Sequence, residues 1–570
     1  MTNSIKNIVL LHLLLVLNVC NLKAQENKVQ QYITSFQADD EMFRSKYRLS
    51  YNGENQWRLI HLAEEYLNKL MKIDFKLLSL DEQIDYILFK NELNNYKQYK
   101  QLNLDQLLFI KKTIPFSEEM NQFSHKRSQG IYIDSASMSQ YLDAMQAGSD
   151  TILYKIGKNN AWTLIQLNTL NNVFEEYQDE LKYNFKFYDG YDTIITNCCK
   201  EKYKKVVKSF RIISDTFAFL KKSPLYAMDS SGINGVPVGR QEFMRLLKSQ
   251  FIEYTPEELL QIATDEMVWC DHEMMEVSAE MGFGSDWRSA IEKIKNDYMP
   301  MGHQPELVRF LADEVVKFIE KKDLITIPEK AIDGWSMEML SPESQKYAPY
   351  FLGGKNVYIA YPHMDMTPEE RLMVMRGNNK HFTRAVVFHE LIPGHNLQYY
   401  MTNRYKSYRA FFHTPFWTEG WSLYWEMLLY DKNFATSPED KLGMLFWRRH
   451  RCARIIFSTK YHLHEWTPQQ CIDYLVQEVG HEKSGAKAEV NRSFAGGYGP
   501  LYQLAYMIGG LQFKALHREM VINGTMSDKN FHDTIMHSGS MPIAVLRKLL
   551  QGKKLISPDI GTWGFRNALN

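Results

Sequence analysis

Between about residues 81 and 220 the chain is almost free of proline and carries apolar residues at three- and four-residue intervals. The stretch DEQIDYILFKNELNNYKQYKQLNLDQLLFI is typical, with polar residues between the apolar ones. This spacing places the apolar side chains on one face of a helix, and the lack of proline permits long helices. The region is therefore predicted to be a stack of long amphipathic helices. Because no fixed-period repeat is found, a solenoid is not expected.

The length of 570 residues exceeds what one ordinary core serves, which predicts two or three subdomains or one large composite domain. Residues 223–243 are rich in Ser, Gly and Pro, a composition typical of a loop or junction. We expect a signal peptide over residues 1–24, an N-terminal helical region over 25–225 and a C-terminal region over 226–570. The last two regions are expected to form one composite domain.

The N-terminus has the pattern of a secretory signal. A short segment with one lysine precedes an apolar run, and a small residue, Ala24, precedes Gln25. The protein is therefore expected to be exported to the periplasm or the medium, with cleavage near Ala24. Lipid attachment at Cys20 is not favoured, because no small residue stands just before it. No later stretch is long and apolar enough to predict stable membrane insertion.

Charge and cysteine content exclude several classes of protein. Lys plus Arg and Asp plus Glu both number 67, so the zero net charge does not indicate a nucleic-acid partner. The cysteines after residue 24 are too few for a disulfide framework, although one bridge is left open. Aromatic residues make up 13% of the chain, which suits helix packing or a cleft that grips an extended ligand. Nothing in the sequence predicts the oligomeric state.

Local signals predict particular element ends. Thr255, Pro256 and Glu258 form a capping box with proline in the first turn of a helix, and Thr467 and Gln470 form a second box. The segment GGKNVYIAYP is typical of a strand, because β-branched and aromatic residues lie between Gly-Gly and Pro. It precedes a histidine-rich helix by about 30 residues and could serve as an edge strand for an extended peptide. We therefore predict a mainly α fold with a small β element.

The segment VVFHELIPGHNLQYY begins like a zinc-peptidase helix, with His389 and Glu390 adjacent. In H-E-x-x-H proteins two histidines one helical turn apart bind one zinc, and the glutamate activates water. Here the second histidine, His395, is six positions on, which turns an ideal helix by about 240°. Pro393 and Gly394 can break the helix and return His395 to the side of His389. A helix that ends at Pro-Gly with two incidental histidines is the alternative.

The segment TPFWTEGWSLYWEMLLY favours the metal site. Thr418 is expected to cap a helix whose inner face carries Glu419 and Glu426. Two carboxylates on the inner face of an aromatic-rich helix are costly unless they are paired or bind a metal. Zinc hydrolases often take a glutamate from a second helix, so Glu419 is predicted as the third ligand and Glu426 as a partner of a ligand histidine. Stabilisation of the helix N-terminus is the alternative for Glu419.

Together, FHELIPGHNLQ and EGWSLYWEML resemble the bacterial family called domain of unknown function 885. That family looks like a relative of gluzincin-type metallopeptidases. The resemblance spans roughly residues 30–565 and implies a large multi-helix, metallopeptidase-like fold with a deep cleft. It also implies one zinc ion per chain, bound by His389, His395 and Glu419, and Glu390 as the general base. The chain departs from the family pattern at Asn396, Ser458, Lys460 and Ser493.

Cleavage of an amide also needs a donor for the developing oxyanion. The downstream candidates are Arg454, His462, Arg492, Tyr498 and Tyr506. A structural role is the alternative for each of them, and the resemblance favours Tyr506 and Arg492. The predicted catalytic residues are therefore Glu390, Tyr506, Arg492 and His462.

These predictions make residues 226–570 the catalytic region of an exported zinc-dependent hydrolase. A peptidase that acts on a peptide or a small amide is the leading hypothesis. A metal-dependent hydrolase of esters or non-peptide amides would use the same residues, and a helical envelope binding protein without catalysis is the third hypothesis. Two imidazoles and a carboxylate suit zinc, although cobalt or manganese could substitute.

Overall fold

The computed structural model describes residues 27–158, 162–221, 223, 229–345 and 351–569. Helices make up most of these residues and the strands are short, so the prediction of a mainly α fold is confirmed. The predicted signal peptide and Cys20 lie outside the described residues. Among the described residues, no helix combines the length and the apolarity that a membrane span requires.

The helices before the strands include several of more than twenty residues, as the proline-poor sequence predicts. Their bounds are Lys28–Lys46, Gly53–Met71, Leu80–Thr113, Ser117–Ser128, Ser135–Gly157, Leu164–Tyr188, Thr193–Lys221, Gly239–Ser249, Pro256–Glu280, Trp287–Lys295, Gln304–Lys322 and Glu329–Asp333.

Four helices after the strands that contribute to the candidate site are named here. We call them the histidine helix (Lys380–Glu390), the glutamate helix (Pro415–Asp431), the arginine helix (Pro438–His462) and the tyrosine helix (Tyr502–His517). The others in this half are Pro342–Gln345, Pro368–Gly377, His395–Thr402, Pro468–Tyr474, Lys483–Ala495, Asp528–Ser538 and Ile543–Leu550.

Three short strands form one sheet in the order β1-β3-β2, where β1 is Met337–Met339, β2 is Phe351–Leu352 and β3 is Val357–Ile359. β3 pairs with β1 in parallel and with β2 antiparallel. The predicted strand in GGKNVYIAYP is therefore confirmed, but its predicted role as an edge strand is wrong. Both sides of β3 are already hydrogen-bonded, and β2 is the edge next to the candidate site.

Most predicted helix ends agree with the structure. Both predicted capping boxes, Thr255 with Glu258 and Thr467 with Gln470, are present. The predicted cap at Thr418 is wrong, because the glutamate helix begins one turn earlier, at Pro415. Its N-cap is Thr414, whose side chain accepts a hydrogen bond from the backbone N–H of Phe416.

Buried apolar side chains fall into two clusters. The larger one joins the helices between residues 29 and 93 to those after residue 233 and surrounds the candidate site. The smaller one lies almost wholly between residues 110 and 217. The first helices of the predicted N-terminal region 25–225 thus share their core with the C-terminal region. The five described cysteines form no disulfide.

The glutamate and tyrosine helices make the most extensive helix–helix contact of the described chain. Two glycines permit their close approach. A Cβ atom added at Gly420 would lie 2.6 Å from Cα of Gly509, and one added at Gly509 would lie 2.8 Å from Cα of Gly420. Because both obstacles are backbone atoms, a side chain at either position forces the helices apart.

We expect Gly420→Ala and Gly509→Ala each to lower the free energy of unfolding by about 1–3 kcal/mol, the usual cost of overpacking a well-packed contact. The midpoint of thermal unfolding measures this loss. Gly499→Ala is the matched control, because an added Cβ there meets nothing within 4 Å. Equal midpoints for all three variants would show that the two helices do not depend on glycine.

Three buried histidines are held neutral by the fold. Burial lowers the pKa of His481 and of His532 to about 3, and lowers that of His450 well below its usual value. Nε2 of His481 lies 2.8 Å from Nδ1 of His450. In this hydrogen bond one of the two nitrogens must be the acceptor and therefore carry no proton. His532 lies 2.7 Å through Nδ1 from the carbonyl oxygen of Leu324. Protonation of these rings therefore favours the unfolded chain.

Acid should destabilise the protein through these histidines. Their folded-state pKa values lie below the unfolded value of about 6.5, so the stability that they contribute is complete above pH 6.5 and is lost as pH falls towards 3. We expect the thermal midpoint, measured in EDTA, to fall between pH 7 and pH 5. It should fall less steeply in His532→Gln, which cannot gain the proton. The exposed His537→Gln is the control, and an unchanged slope in His532→Gln would contradict the assignment.

Candidate metal centre

The histidine helix ends within the segment that carries both histidines. It stops at Glu390, and a new helix begins at His395. The break is well bonded: the N–H of Gly394 donates to the carbonyl of Phe388 at 3.1 Å, and Nε1 of Trp421 donates to the carbonyl of Pro393 at 2.8 Å. A Cβ on Gly394 would overlap the carbonyl group of His389, so only glycine fits at this turn.

The break brings the two histidines to the same side of the chain. Their ring centroids lie 4.8 Å apart with the planes nearly perpendicular. Oε2 of Glu419, on the glutamate helix, lies 3.4 Å from Nε2 of His389 and 3.2 Å from Nε2 of His395. The structure thus brings together the three residues that the sequence predicts as metal ligands.

The three side chains fit a tetrahedral metal ion. Oε2 of Glu419 is buried and has no hydrogen-bond partner, although both imidazole nitrogens are near it. Ligand atoms at about 2.0–2.1 Å from a tetrahedral zinc ion stand about 3.3–3.4 Å from one another, close to the two distances between Glu419 and the histidines. A buried carboxylate oxygen without a hydrogen bond is costly, and a cation would remove that cost.

Electrostatics within this group keep Glu419 ionised. Burial alone would raise the pKa of Glu419, but the two neighbouring imidazoles hold it well below its usual value. The side chain is therefore ready to bind a cation with a full negative charge. Its other oxygen, Oε1, accepts a short hydrogen bond from the hydroxyl of Tyr502, which fixes the orientation of the carboxylate.

Both histidines are oriented by contacts to their Nδ1 atoms. Nδ1 of His389 lies 2.6 Å from Oε1 of Glu426, and Nδ1 of His395 lies 3.2 Å from Oγ of Ser422. These contacts direct the two Nε2 atoms towards Glu419. Partners of this kind set the tautomer and the basicity of metal-bound histidines.

Glu390 lies beside both the ligand histidines and a loop. One of its carboxylate oxygens lies within 4.8 Å of a ring nitrogen of each of His389 and His395. Glu390 is 8% exposed and makes no ion pair among the described residues. A Cβ on Gly353 would lie 2.6 Å from the carbonyl oxygen of Glu390 and would overlap its carboxylate. Burial raises the pKa of Glu390, and the neighbouring imidazoles of His389 and His395 oppose that rise. The bare backbone of Gly353 thus leaves room for a carboxylate of increased basicity.

Asn396 connects the histidine segment to the same loop. Its Nδ2 donates to the carbonyls of Gly354 at 3.1 Å and of Lys355 at 2.9 Å. This residue is one of the departures from the family pattern noted above. Ser493, another departure, accepts from Nε2 of Gln503 at 2.6 Å and donates to the carbonyl of Glu489 at 2.7 Å. It therefore joins the tyrosine helix to the helix Lys483–Ala495.

These side chains open into a cavity of about 320 Å³. Strand β2, the histidine helix and the glutamate helix form one part of its wall, and the arginine and tyrosine helices form another. The lining residues are Phe351, Leu352, Gly353, Val386, His389, Glu390, His395, Thr418, Glu419, Trp447, Arg451, Arg454, Arg492, Tyr502 and Tyr506.

The structure separates the predicted downstream residues into two groups. Tyr506, Arg454 and Arg492 line the cavity, and the Tyr506 ring lies parallel to the His389 ring at 6.0 Å. His462 does not line the cavity. It is buried against the rings of Phe243, Tyr461 and Phe494, and burial lowers its pKa to about 4.

Tyr498 does not line the cavity either. Its ring packs on that of Tyr502 at 4.2 Å, and the guanidinium of Arg492 lies 4.9 Å from its centroid. Tyr498 therefore supports two lining residues from outside.

Several site residues were missed in the sequence, although three of them carry a signal. Tyr502 precedes Tyr506 by one helical turn, and Arg451 precedes Arg454 by three residues, so each pair shares a helix face. Glu489 stands in the same relation to Arg492. Gly353 carries no such signal, because its contact with Glu390 depends on tertiary packing.

Comparison with known proteins identifies the family of this chain. The family described as "Bacterial protein of unknown function (DUF885)" matches residues 46–550, and the chain belongs to this family. No curated protein matches the chain.

Two solved structures share the fold. A candidate lipoprotein of unknown function from Shewanella oneidensis is 17% identical, with a TM-score of 0.65 over 92% of this chain and 99% of that one. A candidate lipoprotein from Colwellia psychrerythraea is 15% identical, with a TM-score of 0.56 over 92% and 98% of the two chains. At these identities the likeness concerns the fold alone.

We expect the purified protein to bind about one zinc ion per chain and His395→Ala to lose it, because two ligands alone do not make a stable site. Glu426→Gln should weaken zinc binding by about 10–100-fold through its effect on His389. Metal content by mass spectrometry and a chelator competition measure these changes.

His272→Ala is the matched control for metal content. His272, Glu273 and Glu276 form a second group that could hold an ion, on the surface of another helix. Zinc released by this control but kept by His395→Ala would show that the metal binds at the surface and would contradict the candidate centre.

Proposed function

We propose that the protein is an exported zinc-dependent hydrolase, and that it acts as a peptidase. The observation that carries the proposal is the convergence of His389, His395 and Glu419 around one point, with Glu390 beside them in a cavity. This arrangement supports a gluzincin-like site, in which two histidines and a glutamate hold zinc and a neighbouring glutamate acts as the base.

When bound by these three residues, zinc would supply Lewis acidity, which makes water acidic and polarises a carbonyl group. The chain itself supplies the proton transfers. Glu390 would accept a proton from the attacking water and pass it to the leaving amine. Its burial suits this role, since a carboxylate with a raised pKa is a stronger base.

Tyr506 is the proposed donor to the developing oxyanion. Its ring packs beside His389, and the pKa of its hydroxyl is raised to about 12, mainly by burial, with a further contribution from Glu419. The hydroxyl therefore keeps its proton at neutral pH and can donate a hydrogen bond. His462 stays a prediction without support from its position, because it lies outside the cavity lining.

A peptide is favoured as the substrate by the position of β2. Phe351 and Leu352 form an edge strand that lines the cavity, and no other described strand pairs with its outer side. An extended peptide can hydrogen-bond to such an edge, which would hold its backbone across the candidate centre. Esters and small amides would gain less from this edge.

Export is supported by two observations. Residues 1–24 have the pattern of a secretory signal, and the two solved structures named above are described as candidate lipoproteins. In the periplasm or the medium the enzyme would meet peptides that are released from other proteins.

The test is Glu390→Gln, which keeps the shape of the side chain and removes the base. We expect kcat for peptide hydrolysis to fall by about 10²–10⁴-fold, the usual contribution of a general base, while the zinc content stays unchanged. A mixed peptide library analysed by mass spectrometry serves as substrate and also reveals the cleavage position.

Three results would contradict parts of the proposal. Full activity of Glu390→Gln with zinc bound would exclude Glu390 as the base. Hydrolysis of a parallel set of esters and small amides, but of no peptide, would change the substrate class. Zinc binding without any hydrolysis would favour a binding protein.

A further inference from the structure

Three arginines line the same cavity as the ligand histidines. Arg451 and Arg454 lie one turn apart on the arginine helix, and Arg492 comes from the helix Lys483–Ala495. All three are at most 6% exposed. The guanidinium carbons of Arg451 and Arg454 lie 4.7 Å and 4.2 Å from the centroid of the Tyr506 ring. Arg451 and Arg454 therefore contact the same tyrosine ring that packs beside His389.

The neighbouring carboxylates do not provide hydrogen-bond acceptors for all the N–H groups of Arg454 and Arg492. Nε of Arg454 donates to Glu489 at 2.8 Å, but the nearest contact of Arg492 with Glu489 is 3.9 Å, too long for a hydrogen bond. Nη1 of Arg454 and Nε of Arg492 are buried without a hydrogen-bond partner. Two guanidinium groups thus share one carboxylate.

The third arginine, Arg451, brings no free carboxylate to Arg454 and Arg492. Arg451 lies 3.4 Å from Oε1 of Glu426, and that oxygen also serves His389 at 2.6 Å. Burial would raise the pKa of Glu489, but the neighbouring arginines lower it to about 2. Glu489 therefore already carries its one negative charge, which does not balance the two positive charges of Arg454 and Arg492. This part of the cavity wall keeps an excess of positive charge and unused N–H donors. Buried guanidinium groups of this kind bind carboxylates strongly.

We propose that Arg454 and Arg492 bind a carboxylate of the substrate, namely the C-terminal carboxylate of a peptide. The inference rests on the proposed hydrolase function and assigns its substrate class. A C-terminal carboxylate held beside Tyr506 brings the last amide bonds of a peptide near Glu390 and the ligand histidines. The enzyme would then remove residues from the C-terminal end. The cavity volume of about 320 Å³ is at the small end for ligand sites and suits a short chain end.

An Asp or Glu side chain offers the same chemistry, so the substrates must distinguish the two sources. The probes are acetyl-Ala-Ala-X peptides, with each common amino acid at X, prepared as free acids and as C-terminal amides. We expect kcat/KM to be at least about 100-fold higher for the acids, the size of a strong charge-assisted contact. Arg454→Gln and Arg492→Gln should each remove most of this preference, mainly through a higher KM for the acids.

Two further variants test whether the loss of preference comes from damage to the buried ion pair instead of the loss of a substrate contact. Arg454→Gln together with Glu489→Gln removes both members of the buried pair, so that no carboxylate is left without its partner. Arg449→Gln is the matched control: Arg449 is buried on the same helix but donates to Asp271 and to the carbonyl of Glu478 instead of lining the cavity. It should keep the acid-to-amide ratio of the wild type.

Binding of the same peptides to Glu390→Gln, measured by calorimetry, separates the failure of this inference from that of the proposed function. Acids that bind at least 10-fold more tightly than amides, without hydrolysis by the wild type, would keep the carboxylate site and overturn the hydrolase. Equal binding and equal cleavage of acids and amides would overturn the carboxylate site alone. Amides cleaved only where X is Asp or Glu would overturn the C-terminal assignment in favour of a side chain.

Discussion

The candidate centre depends on one buried charge, the carboxylate of Glu419. A carboxylate that is 4% exposed within an aromatic-rich helix is stable only when cations or donors surround it. Here the hydroxyl of Tyr502 donates to Oε1, while the imidazoles of His389 and His395 lie near Oε2, which has no hydrogen-bond partner and is left for a cation. Together with Glu419, these groups come from four separate helices. The fold around the centre can therefore be understood as the packing that holds them against one carboxylate.

That packing uses close backbone contacts at the points where precision matters. Gly394 permits the turn between the two histidines, Gly353 leaves room for Glu390, and the pair Gly420 and Gly509 lets the glutamate and tyrosine helices approach. In each case the atom that a side chain would meet belongs to the backbone or to a functional carboxylate. A small movement at any of these contacts would shift a ligand or the base. Positioning to within fractions of an ångström is what metal sites and general bases require.

Much of the fold and of the candidate centre could be predicted from local patterns. Apolar spacing predicted the helices, the sequence between Gly-Gly and Pro predicted β3, and the Pro-Gly pair predicted that His395 could turn towards His389. Glu419 and Glu426 were predicted because charges on an inner helix face need partners. These signals lie within one helix or one turn, where spacing determines geometry.

Other features depend on tertiary contacts and could not be predicted in this way. The glutamate helix begins at Pro415 rather than near Glu419, and β3 is central because β1 and β2 pair on both of its sides. His462 and Arg454 are eight residues apart on one helix, yet only Arg454 lines the cavity. Helix periodicity alone does not determine which of two buried side chains on a long helix meets a cavity.

The division of the apolar core into two clusters has a consequence for the energetics of the native state. All the residues that line the cavity lie after residue 350, and the smaller cluster lies almost wholly between residues 110 and 217. Local opening of the smaller cluster would expose amide protons there without separating His389, His395 and Glu419. The two clusters can therefore act as separate cooperative units, with their own free energies of opening and their own rates of hydrogen exchange.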